Sequence, residues 1–180
     1  MVDFLKSLEL TLHNEGGYSK IKEDKGGETY CGISKIYNPE WLGWKIINNI
    51  TNKYKDVFKI NEMIKNNPVI REEVENFYYN NYWEKNNLED LENQKLANFV
   101  FDFCVNSGQA IMIIQRVLKI KDDNICGKET IKALNEFVNK KGDAGINELV
   151  NARIEYVTKL AGFDTFGKGW INRIKRYLIT

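Results

Sequence analysis

Two prolines, one histidine and three cysteines are scattered over 180 residues, and each scarcity excludes something. With so little proline, helices are permitted almost throughout the chain. The cysteines, Cys31, Cys104 and Cys126, form no Cys-x-x-Cys pair and leave one thiol over under any disulfide scheme. A disulfide-stapled scaffold and a zinc site are therefore not expected. The three are read as small buried hydrophobes of a chain folded in a reducing compartment. Charge of either sign is also not in excess: 26 Lys and Arg stand against 25 Asp and Glu, a formal net charge of +1. A polyanion binder carries a basic surplus, so nucleic acid is not an expected partner. No apolar run reaches the about 18 residues that a bilayer span requires, so no membrane insertion is expected. From Met1 to Asn14 the chain carries Asp3, Lys6, Glu9 and His13 and lacks the uncharged apolar core of a secretory signal. The protein is accordingly expected to be made in the cytoplasm.

What is present is an ordinary globular composition, 43% hydrophobic and 28% charged, in a length that suits one compact domain or two closely packed lobes. Leu5, Leu8 and Leu12 recur at three and four residues and predict an amphipathic first helix, ending near Asn14 where Gly16-Gly17 follow. Between Gly16 and Ser34, five glycines with interspersed Thr and Tyr give no helical period, and a small hairpin sheet is expected there. Asn38-Pro39 and Asn67-Pro68 both read as a cap followed by proline in the first helical turn. Leu96 to Val105 is apolar apart from Asn98 and Asp102, which predicts a central buried helix. Further helices follow from the periodic apolar residues around Ile111–Leu118, Ile131–Val138, Ile146–Val157 and Trp170–Leu178. The fold class is mainly α, with one small β-hairpin region near the N-terminus.

Chemistry is concentrated between Glu15 and Ser34. Glu15 stands at the end of the first helix, where the negative end of the macrodipole disfavours ionisation, and a partly dry site raises a carboxyl pKa further. Both effects suit a general acid near neutral pH. Gly16 and Gly17 leave room beside it. Asp24 lies nine residues on and Thr29 fourteen, inside the glycine-rich hairpin. Two carboxylates facing across a groove are the minimal equipment for glycosidic cleavage: one protonates the leaving oxygen, the other activates water or stabilises charge at the sugar carbon.

The order Glu15-Gly-Gly-Tyr18, Asp24, Gly26-Gly-Glu-Thr29 and Gly32-Ile-Ser34 resembles the signature of glycoside hydrolase family 108, lysozyme-like N-acetylmuramidases found among phage endolysins and secretion-associated muramidases. Tyr82-Trp83, Phe101 to Gly108, Gln115 to Leu118, Asn124 to Thr130, and Phe166 to Trp170 with Arg173 continue the resemblance collinearly. Departures are Cys104 where the family commonly has Ala, Asp123-Asn124 for Asp-Gly, and Gly127-Lys128 for Gly-Pro. The resemblance implies a lysozyme-like α+β fold. A catalytic lobe would occupy residues 1–90 and a helical peptidoglycan-binding lobe residues 91–180. It implies hydrolysis of the β-1,4 bond between N-acetylmuramic acid and N-acetylglucosamine, with Glu15 as acid, Asp24 orienting or deprotonating water, and Thr29 assisting. The Glu/Asp/Thr spacing is also similar to that of the T-even phage lysozymes, by analogy an inverting arrangement, for which carboxyls roughly 6.5–9.5 Å apart are expected. An endolysin-type enzyme would act at the wall after release through a membrane lesion or by dedicated export, as a monomer whose partner is peptidoglycan. Alternatives are a lytic transglycosylase using Glu15 alone and a non-catalytic wall-binding or secretion-helper protein.

Other residues have two readings. Tyr18 and Tyr30 either stack on sugar rings or form the hairpin's own core. Asn106 either hydrogen-bonds an N-acetyl group or caps its helix. His13 reads as a surface histidine, and Tyr82, Trp83 and Trp170 read as core. Asp122, Asn124 and Gly127 match an EF-hand loop at three places, but Cys126 and Ala133 occupy ligand positions, so no metal is expected. No cofactor is implied.

Overall fold

Some helices begin where the chain supplies a carboxylate or amide side chain to cap them. In the computed structural model, which describes residues 1–13, 17–20 and 27–179, Asp56 accepts hydrogen bonds from the backbone of Phe58 and Lys59, and Asn67 from Val69 and Ile70. These open α3 (Val57–Lys65) and α4 (Pro68–Tyr78), satisfying N–H groups that a helix start leaves unpaired. The other Asn-Pro pair behaves differently. Asn38-Pro39 opens no helix, and α2 starts later, at Gly43–Lys53. The Asn38 carbonyl instead accepts from the Trp44 indole at 2.9 Å and from the Trp41 backbone at 3.2 Å. The two indoles meet edge to face, and burying them fixes a turn that overrides the local helix signal.

The chain divides into two compact units, Glu9–Asn80 on one hand and Met1–Leu8 with Asn81–Thr180 on the other. The division falls between Asn80 and Asn81 and also passes through α1 (Phe4–Leu12). The first turns of α1 belong to the larger unit because Asp3 and Ser7 hydrogen-bond Gln94 and Asn98, while Phe4 packs edge to face on Trp83 and Phe101. Its buried positions are Ser7, Leu8 and Thr11, and the expected stripe member Leu5 is exposed.

In the smaller unit, β1 (Ser19–Lys20), β2 (Glu28–Tyr30) and β3 (Ile33–Ser34) form an antiparallel sheet in that order. The β2–β3 turn is Cys31-Gly32, both at positive φ, the turn geometry that matches the natural twist of a two-residue hairpin. Cys31 is therefore a turn residue, half-exposed, and not part of the core. Trp44, Ile47, Ile64 and Ile70 are the core of this unit, and the Tyr78 hydroxyl donates to the Cys31 carbonyl at 2.7 Å, fastening α4 to the hairpin.

The larger unit is helical among its described residues. A π-helical turn (Tyr79–Trp83) continues from α4, and two short 3-10 turns follow. They lead to α5 (Gln94–Asn106), α6 (Ala110–Leu118), α7 (Lys128–Lys141), α8 (Asp143–Thr158) and α9 (Phe163–Lys175). The sequence expectation for α5 holds: Leu96, Phe99, Phe101 and Phe103 are fully enclosed. So is Asp102, whose carboxylate meets Arg153 of α8 at 2.6 Å. Burial pushes the Cys126 thiol up to about 12 and the Cys104 thiol well above its ordinary value, which leaves both protonated and inert near neutral pH. Trp83 is buried, and Tyr82 and Trp170 are partly so. Among the described residues no helix is long and apolar enough to cross a membrane.

Candidate active site

The segment that carries the proposed chemistry is anchored by a glycine. A side chain at Gly17 would run into the carboxamide of Asn61 on α3, and this close approach lets Asn61 Oδ1 accept the Tyr18 backbone N–H at 2.7 Å. Asn61 Nδ2 in turn donates to the Val57 carbonyl at 3.1 Å, so the whole side chain is committed to holding residues 17 and 18 against α3.

The register then sorts the hairpin onto two faces. Ser19 pairs with Thr29, and Thr29 with Ser34, which places three hydroxyl residues in a row on one face. Tyr18, Glu28, Tyr30 and Ile33 alternate onto the other. Tyr18 and Tyr30 line a groove of about 630 Å³ whose remaining wall is Phe58, Asn61, Glu62, Lys65 and Asn66, with Gly17 and Cys31 at its edge. Tyr30 is buried and stacks on Trp41 with ring centroids 6.5 Å apart. It therefore serves the hairpin core as well as the groove.

Glu28 is the residue that sequence reading passed over. Its Oε1 accepts from the Tyr18 hydroxyl at 2.5 Å and its Oε2 from Lys35 Nζ at 2.6 Å, while Lys35 also donates to Asn48 at 2.8 Å. Burial pushes the Glu28 carboxyl up, but the Lys35 and Tyr18 hydrogen bonds and the lysine charges outweigh it and hold the group below its ordinary 4.5. The same burial, with the Glu28 carboxylate beside it, pushes the Tyr18 phenol well above its ordinary value. The only prior signal was the placing of Glu28 two residues from Tyr30 on an alternating strand. Lys35 became its partner through the β2–β3 register, where the Lys35 N–H also reaches the Glu28 carbonyl.

A pH dependence follows. A carboxylate with a lowered folded-state pKa stabilises the fold above its unfolded value, and that contribution is lost as pH falls through the folded one. Melting of the wild type and of Glu28→Gln, followed from pH 7 down to 3, is expected to show a gap that is widest at neutral pH and closes below about 4.5. A gap that stays constant across that range removes the ion pair from the account.

Of the residues singled out in sequence, Thr29 sits on the hydroxyl face at the centre of the sheet, and Tyr18 and Tyr30 on the groove face. Glu15 and Asp24, and with them the separation of the two carboxyls, lie outside the described residues. Asn106 belongs to the other unit. At the end of α5 its Nδ2 donates to the Asp102 carbonyl at 2.8 Å, and its Oδ1 accepts from Arg173 at 2.8 Å. His13 is exposed. The carboxylates of Asp122 and Asp123 pair with Arg116 and Lys121, and no cluster of potential metal ligands occurs among the described residues.

The chain is similar to the solved structure of SagA from Brucella abortus, at 28% sequence identity and a TM-score of 0.67, over 97% of this chain and 90% of that one. None of the curated protein sequences matches it. The sequence model of glycosyl hydrolase 108 matches residues 8–108, a span that contains the glycine-rich hairpin, α2 to α4 and all of α5. The chain therefore belongs to glycosyl hydrolase family 108 and is a lysozyme-like glycosidase acting on peptidoglycan.

Proposed function

We propose that the protein is an N-acetylmuramidase of the endolysin type, which hydrolyses the β-1,4 bond between N-acetylmuramic acid and N-acetylglucosamine. The observation that carries this reading is the family match across residues 8–108, a span that includes Glu15, Asp24 and Thr29. Glu15 protonates the leaving oxygen, Asp24 takes a proton from the attacking water, and the Thr29 hydroxyl holds that water. Tyr18 and Tyr30 offer ring surface to sugar. The lobe beyond residue 90 binds the wall polymer. The enzyme works as a monomer, made in the cytoplasm and released to the wall.

The products test it. Hydrolysis leaves a reducing N-acetylmuramic end that borohydride converts to muramitol, and mass spectrometry of the released muropeptides is expected to find that end on every new fragment. Anhydro-muramic ends would assign the chain to the transglycosylases, for which no activated water is needed and Asp24 is dispensable. Intact walls after prolonged incubation would leave only a binding role.

A further inference from the structure

The groove lined by Tyr18 and Tyr30 lies on the sheet face opposite the hydroxyl row that carries Thr29, and its α3 wall holds residues to which the reaction assigns no part. Its composition is specific. Phe58, Asn61, Glu62 and Lys65 are spaced three, one and three residues apart, which puts them on one face of α3 and spreads them over about 10 Å of wall, the scale of two pyranose rings. The apolar needs of that helix are met elsewhere, since Ile60 and Ile64 are buried. Phe58 is nevertheless 74% exposed, an aromatic ring in the lining of a groove that Tyr18 also lines. The Tyr18 ring is held in place through its hydroxyl by the Glu28 and Lys35 pair.

The charges point the same way. Lys59, on the same helix, lies over the Tyr54 ring at 4.7 Å, and Lys35 is spent on Glu28 and Asn48. The Lys65 side chain makes no ion pair or hydrogen bond with any described residue, and neither does the Glu62 side chain one turn before it. A lysine ammonium left unpaired in a groove that also holds aromatic side chains matches a ligand with an apolar ring face at one end and a carboxylate at the other. A wall sugar substituted with a peptide has both, because its sugar presents C–H faces and its peptide carries free carboxylates.

We propose that this groove is a binding subsite for a peptide-bearing sugar of the wall polymer, with Phe58 and Tyr18 against the ring and Lys65 on a carboxylate of the peptide. The proposal rests on the glycosidase reading and deepens it: the enzyme selects peptide-substituted strands over bare glycan. Contacts of Phe58 with the ring and of Lys65 with the peptide are the same before and during bond cleavage, so their loss raises KM and leaves kcat unchanged.

The test uses the full chain and two soluble substrates, peptide-bearing glycan strands and the same strands stripped by an amidase. Lys65→Glu is expected to raise KM on the peptide-bearing strands by about three-fold at low salt, the scale of one exposed ion pair, with no change on stripped strands. High salt should erase that difference, and Lys65→Arg should restore the wild-type value. Phe58→Ala is expected to raise KM by about five-fold on both substrates, since the lost apolar contact is with the sugar. Equal effects of Lys65→Glu on both substrates, or on neither, overturn the subsite. A wild type that cleaves neither substrate overturns the glycosidase reading itself, a different result from the first.

Discussion

Glu15→Gln is expected to reduce wall solubilisation by roughly 10²–10⁴-fold while leaving the melting temperature within a degree or two of the wild type. The amide has the size and shape of the carboxyl and keeps its hydrogen-bond acceptor, but it has no acidic proton to give the leaving oxygen. A sugar alkoxide is a poor leaving group, so losing that proton reaches the bond-breaking step directly and appears in kcat. In the sequence Glu15 comes three residues after the last residue of α1 (Phe4–Leu12) and is followed by two glycines. Asp24→Asn separates the chemistries, because a hydrolase loses its water activation whereas a transglycosylase loses little. Near-normal lysis by Glu15→Gln would falsify the assignment of the acid.

Much of this was legible in the sequence because local chemistry and tertiary outcome agreed. Five glycines between residues 16 and 34 announced the hairpin, and Asn67-Pro68 announced α4, since capping and the fixed φ of proline act within one turn. The unbroken apolar run announced α5 as the buried helix. What escaped was decided at a distance. Asn38-Pro39 carries the same signal as Asn67-Pro68, yet the Trp44 indole claims the Asn38 carbonyl. The inward face of α1 was misjudged because Ser7 is buried by its bond to Asn98, 91 residues away. In the site, the types of Tyr18 and Thr29 were readable, but their separation onto opposite faces depends on a register that only pairing with β3 fixes. The Glu28–Lys35 pair depends on the same register.

The buried pair of Asp102 and Arg153 sets the second large effect. The two groups meet at 2.6 Å with side chains 1% and 3% exposed, and Arg153 lies 4.7 Å from the centre of the Phe103 ring. Asp102 Oδ1 also faces Arg173 Nε at 3.5 Å and accepts from Asn106 at 3.3 Å. Forming such a pair gains little net, because desolvation offsets attraction, but removing one partner strands a charge in an apolar helix core at a cost of about 3–5 kcal/mol. Arg153→Met is therefore expected to lower the melting temperature by roughly 10–15 °C in a chain of this length. The double variant Asp102→Leu with Arg153→Met should recover most of that loss, since neither charge is then left unpaired. The exposed pair of Lys95 and Asp143, at 3.1 Å, provides the contrast: Lys95→Met should move the melting point by no more than about 2 °C, as solvent already screens it. If Arg153→Met melts no lower than Lys95→Met, the carboxylate is not confined as the geometry requires. The single core variant is expected to lose wall lysis along with stability, and the surface variant neither.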